Sequence, residues 1–290
     1  MVGTPHGLSN ELTAAQVAHL RERAAFVRRE TIRLIEIAKV GHYASVFSCA
    51  EIFAVLYHDT LRLRRGEPDW QLRDRFLMGK GHAAVGQYPL LVEWGFFPAA
   101  LLDGYTRLGN PLGDHPDRRL VPGIDFSSGS IGHALSAGLG MVLGGRVQRQ
   151  DFDVYVLLGD GEMQEGQVWA AALSAAQHRA GRLVAIVDRN KFQLDGRTDD
   201  VSNIEPLAEK WRSFGWIVHE VDGHDVAALA VLLRRLKADP GREQPVCVIA
   251  HTVKGKGVAY METDPGWHLG YLAPEDAEAA LAEIAAGAVP

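Results

Sequence analysis

The sequence predicts an α/β fold built on a mostly parallel sheet, and three observations carry that reading. Val154-Tyr155-Val156-Leu157-Leu158 is an apolar run that stops at Gly159-Asp160-Gly161. Leu183-Val184-Ala185-Ile186-Val187 is a second such run, ending at Asn190. The alanine-rich segment between them is long enough for a helix, which makes a βαβ unit with parallel strands. Open parallel sheets bind ligands beyond the carboxyl ends of their strands, where Asp160 and Asn190 both fall. One carboxylate and one amide oxygen are hard donors suited to Mg²⁺ or Ca²⁺, so the expected ligand is a metal-bridged diphosphate.

The remaining elements come in order. Val17, Leu20, Ala24, Val27, Ile32, Ile35 and Ala38 form a helical stripe across residues 12–40, with a stop expected near Gly41. Gly41-His42-Tyr43-Ala44-Ser45 leads into a second helical run, Cys49 to Tyr57. Asp74 to Met78 is a short strand closed by Gly79-Lys80-Gly81-His82, and 83–105 is helical, with Pro98 opening a new turn. From Leu108 to Ser130 glycine, proline, aspartate and serine dominate, as in a long functional loop. It contains Gly113-Asp114-His115-Pro116 and ends at Ser128-Gly129-Ser130-Ile131-Gly132-His133, entering a small-residue helix from Ala134 to Gly145. Trp169, Ala172, Leu173 and Ala176 lie at i, i+3, i+4 and i+7, a packing stripe whose alanines leave room for a partner helix. Trp216 to Val221 and Val246 to Val253 are strands around a helix at 224–238, and Pro274 to Ala286 is an acidic helix. With no repeat or obvious linker, residues 1–290 read as one domain.

Composition narrows the function. Hydrophobic residues make up 47% of the 290 and charged residues 23%, enough apolar material for a substantial core. The net charge of −6 gives no support to nucleic-acid or acidic-membrane binding. No window approaches roughly 18 uninterrupted apolar residues, and the N-terminus lacks a basic region followed by an apolar core. Cys49 and Cys247, the two cysteines, suggest neither a disulfide framework nor a thiolate metal site. A cytoplasmic protein is expected.

Taken singly, the glycines, Asp160 and Asn190 are ordinary turn and cap residues. Ending two successive strands at one edge, they suit a phosphate approaching backbone N–H groups at a helix N-terminus. Neither the dinucleotide fingerprint nor a P-loop matches. Of the 12 histidines, His42, His82, His115 and His268 follow or sit among glycines and prolines. Four such loop positions suggest a pocket that handles protons or oxyanions. No two of the four have metal-ligand spacing on one helix, which argues against zinc. Lys80 and Lys254, each beside glycine, are candidate point charges for phosphate.

In this order the stretches resemble the diphosphate-binding domain of the thiamine-diphosphate enzymes, transketolase in particular, over nearly the whole chain. Gly159-Asp160-Gly161 with Asn190 marks the cofactor class. The transketolase likeness rests on Gly41-His42, Asp74-Arg75-Phe76, Gly79-Lys80-Gly81-His82, His115-Pro116, Ser128 to His133, Val253-Lys254-Gly255-Lys256-Gly257 and Trp267-His268. The resemblance implies helices on both faces of the sheet. It implies Mg²⁺ (or Ca²⁺) held by the side chains of Asp160 and Asn190 and by the Phe192 carbonyl. Lys80, His82, Gly161, Lys254 and His268 would surround the diphosphate of thiamine diphosphate, with Glu162 also among the cofactor residues. Gly129 and Ile131 would touch the cofactor's aminopyrimidine–thiazolium region, while His42, His115 and His268 would face the sugar as catalytic residues. Glu165 would join a carboxylate network across a subunit interface. Arg189-Asn190 stands where the family often has two asparagines, Ile131-Gly132-His133 where many have Leu-Gly-Gln, and Leu269 interrupts Trp-His-Gly. Arg189 reads as a small change, because Asn190 is the ligand.

Longer members of the family continue into a pyrimidine-binding domain, whose glutamate activates the cofactor, and a C-terminal domain. The nearest likeness is therefore the N-terminal subunit of a split transketolase. Its partner would be a C-terminal subunit carrying the pyrimidine-binding domain, and the two would assemble as an α₂β₂ heterotetramer. Its substrates would be sugar phosphates that exchange a two-carbon ketol unit. Two further readings stay open: the α subunit of the first component of a 2-oxo acid dehydrogenase, and a non-catalytic cofactor-binding scaffold. The transketolase-like histidine stretches argue against the former.

Overall fold

The computed structural model of the chain describes residues 11–194 and 196–287. Helix α1 (Ala14–Ala38) opens on a capping box in which the side chains of Thr13 and Gln16 each accept from the other's backbone N–H. It buries Leu20, Ala24, Val27, Ile32 and Ile35, but stops on Lys39, which adopts the left-handed conformation at φ 63°. Gly41 serves another purpose: it exchanges two backbone hydrogen bonds with Gly270, and a Cβ there would meet Ile35 at 2.6 Å. A short α2 (Tyr43–Phe47) precedes the run expected at Cys49 to Tyr57, which divides into α3 (Ala50–Val55) and a π turn at Leu56–Thr60. After β1 (Arg75–Met78), the helical reading of 83–105 divides into α4 (Ala84–Glu93) and a 3₁₀ helix at Ala99–Gly104, because Gly95 turns left-handed at φ 71° and Pro98 opens a new turn as expected.

The long segment from Leu108 to Ser130 carries neither helix nor strand. Then come α5 (Ala134–Gln148), β2 (Val154–Gly159), α6 (Gly166–Gln177) and β3 (Leu183–Arg189). A small hairpin, β4 (Phe192–Gln193) with β5 (Gly196–Arg197), leads to α7 (Thr198–Val201) and α8 (Leu207–Ser213). The chain closes through β6 (Ile217–Asp222), α9 (Val226–Lys237), β7 (Val246–His251), α10 (Ala259–Thr263) and α11 (Pro274–Gly287). None of the described helices is long and apolar enough to cross a membrane.

Five strands form one parallel sheet in the order β1-β2-β3-β7-β6. Alternate residues feed opposite cores. Tyr155, Leu157, Val184 and Ile186 pack with α1, α3, α4, α9 and α11, while Val154, Val156, Leu158, Ala185 and Val187 pack with α5, α6 and α8. Helices on both faces explain why these strands read as unbroken apolar runs. The stripe of α6 is Val168, Ala171, Ala172 and Ala175, one residue earlier than expected, and Leu173 is 60% exposed. The shift has a cause in α8: Trp169 leans sideways against Trp211 and Phe214, at ring separations of 5.4 and 5.6 Å. Register decides which side chains meet at the sheet's carboxyl edge. Gly159 pairs with Asp188 and Arg189 with His251 of β7, so Asp160 leaves the sheet beside Arg189.

Candidate active site

A cavity of about 390 Å³ lies at the carboxyl edge of the sheet. Its wall contains Lys80, His82, Ile131, Asp160, Gly161, Glu162, Glu165, Asn190, Phe192, Lys254 and His268, all singled out by the sequence. Gly129, His42 and His115 are outside that wall. His42 packs against His82 and His268, at ring separations of 4.8 and 5.4 Å, and His115 stands farther out, 6.4 Å from His42. A Cβ on Gly129 would lie 3.8 Å from the His115 ring. Four histidines distant in sequence thus form one cluster. Among the described residues no three histidine, cysteine, aspartate or glutamate side chains are arranged to hold a metal ion.

The floor is an ion pair that sequence reading missed. Lys80 Nζ is bound to Asp188, and donates also to the Ser45 carbonyl at 2.6 Å. Asp188 accepts in addition from Ser48 Oγ at 2.7 Å, from Thr252 and from Asn190 Nδ2 at 3.2 Å. Burial would raise its carboxyl, but Lys80 and these hydrogen bonds hold it below the usual carboxylate range. Asp188 escaped notice because it ends an apolar strand, where a carboxylate looks like the start of a turn. The ammonium of Lys80 is therefore neutralised from within and contributes little net charge to a phosphate.

The metal donors have a second unforeseen neighbour. Arg189, only 2% exposed at its side chain, lies 2.9 Å from Asp160 and also binds Thr198, Asp199 and Glu205. It is no small change: it puts a fixed cation on the expected metal ligand. Even so, burial and then the like charge of Asp188 push the Asp160 carboxyl up to about 6, against the pull of Arg189. Asn190 Oδ1 accepts from Phe192 N–H at 3.1 Å, a tight turn that brings the Phe192 carbonyl beside Gly161. A Cβ on Gly161 would approach Gln193 Cβ at 2.9 Å, so glycine keeps this corner open. One carboxylate, one amide oxygen and one carbonyl suit Mg²⁺ or Ca²⁺, and their surroundings fit a cation.

Across the cavity the balance reverses. Burial, with Lys80 adding to it, pushes the Lys254 ammonium down to about 8. Burial and the neighbouring cationic groups push His82 well below its ordinary value and His268 to about 4. Groups that resist carrying positive charge in isolation are stabilised by an arriving anion, which fits a diphosphate. Glu162 faces the cavity, but its carboxylate is taken up by the backbone N–H groups of Gly132, at 2.7 Å, and Gly159, at 3.0 Å. It clamps the loop carrying Ile131 to the end of β2. A Cβ on Gly79 would fall 2.2 Å from that carboxylate. Glu165 is exposed at the rim.

Known proteins are similar to this chain in sequence and in fold. The family model described as transketolase, thiamine diphosphate binding domain, matches residues 21–286. The chain is 36% identical over 269 residues to an apulose-4-phosphate transketolase subunit of Phocaeicola vulgatus, covering 93% of this chain and 95% of that protein. It is also 36% identical to a 6-deoxy-6-sulfo-D-fructose transketolase subunit of a Clostridium species, covering 93% of this chain and 97% of the relative. Among solved structures, transketolase from Leishmania mexicana superposes with a TM-score of 0.85 at 26% identity, covering 92% of this chain but 41% of that one.

Proposed function

The chain belongs to the transketolase family, whose thiamine-diphosphate-binding domain it carries, and from that premise we propose that it is the N-terminal subunit of a two-subunit cytoplasmic transketolase. Acting as one domain, it binds Mg²⁺ and thiamine diphosphate, and a C-terminal partner subunit completes the site in an α₂β₂ assembly. The reaction moves a two-carbon ketol unit from a ketose phosphate to an aldose. The observation that carries this reading is the meeting, at one sheet edge, of the Asp160–Asn190 donors with the His42–His82–His268 cluster. The two relatives named as subunits are spanned almost end to end by this chain, which supports a divided enzyme. Their names specify a phosphate and a sulfonate sugar, which supports an anionic ketose as donor.

When bound, the cofactor supplies the electron sink that lets a carbon–carbon bond beside a carbonyl break. The protein's part is to bind and orient. Asp160, Asn190 and the Phe192 carbonyl hold the cation, and Gly161 leaves the phosphate room to approach. Lys254 and His82 face the diphosphate, while the Lys80–Asp188 pair keeps the floor rigid. Ile131 offers an apolar surface to the cofactor's rings. His268, with His42 and His115 beyond it, exchanges protons with sugar hydroxyls and stabilises the oxyanion. Glu165 reaches the partner's carboxylates.

The test is to purify the chain alone and together with the product of the adjacent reading frame, then supply a ketose phosphate with ribose 5-phosphate. Ketol transfer that requires both chains is the expected result. Decarboxylation of a 2-oxo acid without ketol transfer would sink the proposal in favour of a dehydrogenase component. Unchanged turnover in His115→Ala would leave only a scaffold.

A further inference from the structure

Neither the family resemblance nor the cofactor site gives a role to Asp114, in the long loop. Its two carboxylate oxygens are divided between two histidines. Oδ1 lies 3.5 Å from His42 Nδ1, and Oδ2 lies 3.3 Å from His115 Nδ1. The Tyr105 hydroxyl donates to Oδ1 at 3.4 Å, and the Tyr88 hydroxyl donates to the preceding Gly113 carbonyl at 2.8 Å. Those two tyrosines are buried and meet edge to face at 6.1 Å, so the turn carrying Asp114 is braced from the core. We propose that Asp114 is a positioning residue, which fixes His42 and His115 as their Nδ1-protonated tautomers and leaves Nε2 of each as the atom available to the sugar.

An ionised carboxylate only accepts hydrogen bonds. Burial works to raise the Asp114 carboxyl, but His42, then His115 and Tyr105, hold it below its ordinary value, so it is an anion at neutral pH. At 3.3 and 3.5 Å a ring lone pair facing that anion would be repelled, whereas an N–H is attracted. The separations are long for hydrogen bonds, as catalytic contacts often are before the substrate complex forms. The other charged or titratable groups beside the cluster are His82, His268 and Lys254, cationic when protonated, and Lys80, whose charge Asp188 already balances. Asp114 supplies the opposing sign. A proton passing from a sugar hydroxyl to Nε2 makes an imidazolium whose charge Asp114 balances from the far side, and the same proton returns from Nε2 to the product. The sugar's part in this rests on the transketolase reading; the tautomers do not.

Two-bond ¹H–¹⁵N correlation spectra of the ¹⁵N-histidine-labelled full chain, with Mg²⁺ and thiamine diphosphate at pH 8, read the tautomers directly. His42→Ala and His115→Ala identify the two resonances. Both rings are expected as Nδ1–H. Asp114→Asn offers one acceptor and one donor, so one ring should switch to Nε2–H. In the assembled enzyme kcat should then fall roughly 10–100-fold, less than the full 10²–10⁴ of acid–base catalysis because one ring keeps its form, with KM moving by less than about threefold. Asp114→Glu, which keeps both acceptors, should recover part of the loss. Nε2–H tautomers in the wild-type chain overturn the proposal, as does kcat within about twofold of wild type in Asp114→Asn. If that variant fails to fold, the wild-type spectrum still decides. Absence of ketol transfer with both rings Nδ1–H would refute the enzymatic reading and leave the tautomer assignment standing.

Discussion

The two ends of the cavity are built in opposite ways. The diphosphate end stands on adjacent strand ends, where β2 and β3 in register deliver Asp160, Asp188, Arg189 and Asn190 together. Its charges are buried and locked in pairs, Lys80 with Asp188 and Arg189 with Asp160. The histidine end is gathered from four separate segments and held by ring contacts and one carboxylate. Buried charges tolerate little displacement, so they belong on the sheet, whereas groups that must exchange protons with a changing ligand sit on loops. Damage to the first end should therefore cost stability, and damage to the second should cost turnover.

The largest effect expected is at Asp188. Asp188→Ala strands the Lys80 ammonium in the interior and should cost about 3–5 kcal/mol in denaturant unfolding. A loss no greater than that of an exposed control such as Glu209→Ala would break the contrast. At the other end, His115→Ala should leave the unfolding free energy within about 0.5 kcal/mol of wild type, yet lower kcat of the assembled enzyme by about 10²–10⁴. Equal damage to both quantities would show that the histidine end is structural as well. Asp160 sharpens the first half of the comparison. Mg²⁺ with thiamine diphosphate at about 100 times Kd should stabilise the chain by about 2.7 kcal/mol, and Asp160→Ala should abolish that gain in a thermal-shift titration. The smallest effect concerns His268, held near 4 by burial and then Lys254. A base depressed in the folded state contributes stability above its ordinary value of 6.5 and loses it as pH falls through 4. Between pH 7 and pH 4 wild type should accordingly lose more stability than His268→Gln, and parallel curves would discount the shift.

The same division governs what could be read from the sequence. Strands covered on both faces announce themselves as apolar runs, so β2, β3 and β7 and the residues just beyond them were legible. The histidines could be named from their glycine and proline neighbours, but their assembly into one cluster depends on long-range folding that no local pattern records. Arg189 and Asp188 were opaque because each looks like a strand terminus, and only the register reveals what they touch. Asp114 sits one place from a histidine that was noticed, but the second ring it faces comes from residue 42. The stripe on α6 slipped by one residue for a related reason: α8, seven residues long, was too short to announce itself, and Trp169 packs against it.

Gly41 and Gly270 exchange two backbone hydrogen bonds, and the Leu272 N–H donates to the Tyr43 hydroxyl across 229 residues of chain. Closing so long a loop from a disordered chain is entropically unfavourable, and becomes cheap only once the sheet has brought the two stretches near. These bonds should therefore form late in folding and open early under native conditions. Their amides should exchange with deuterium ahead of those in β2 and β3. A molecule fastened in this way can loosen the clasp that joins His42 to His268 while the floor that grips the cofactor stays shut.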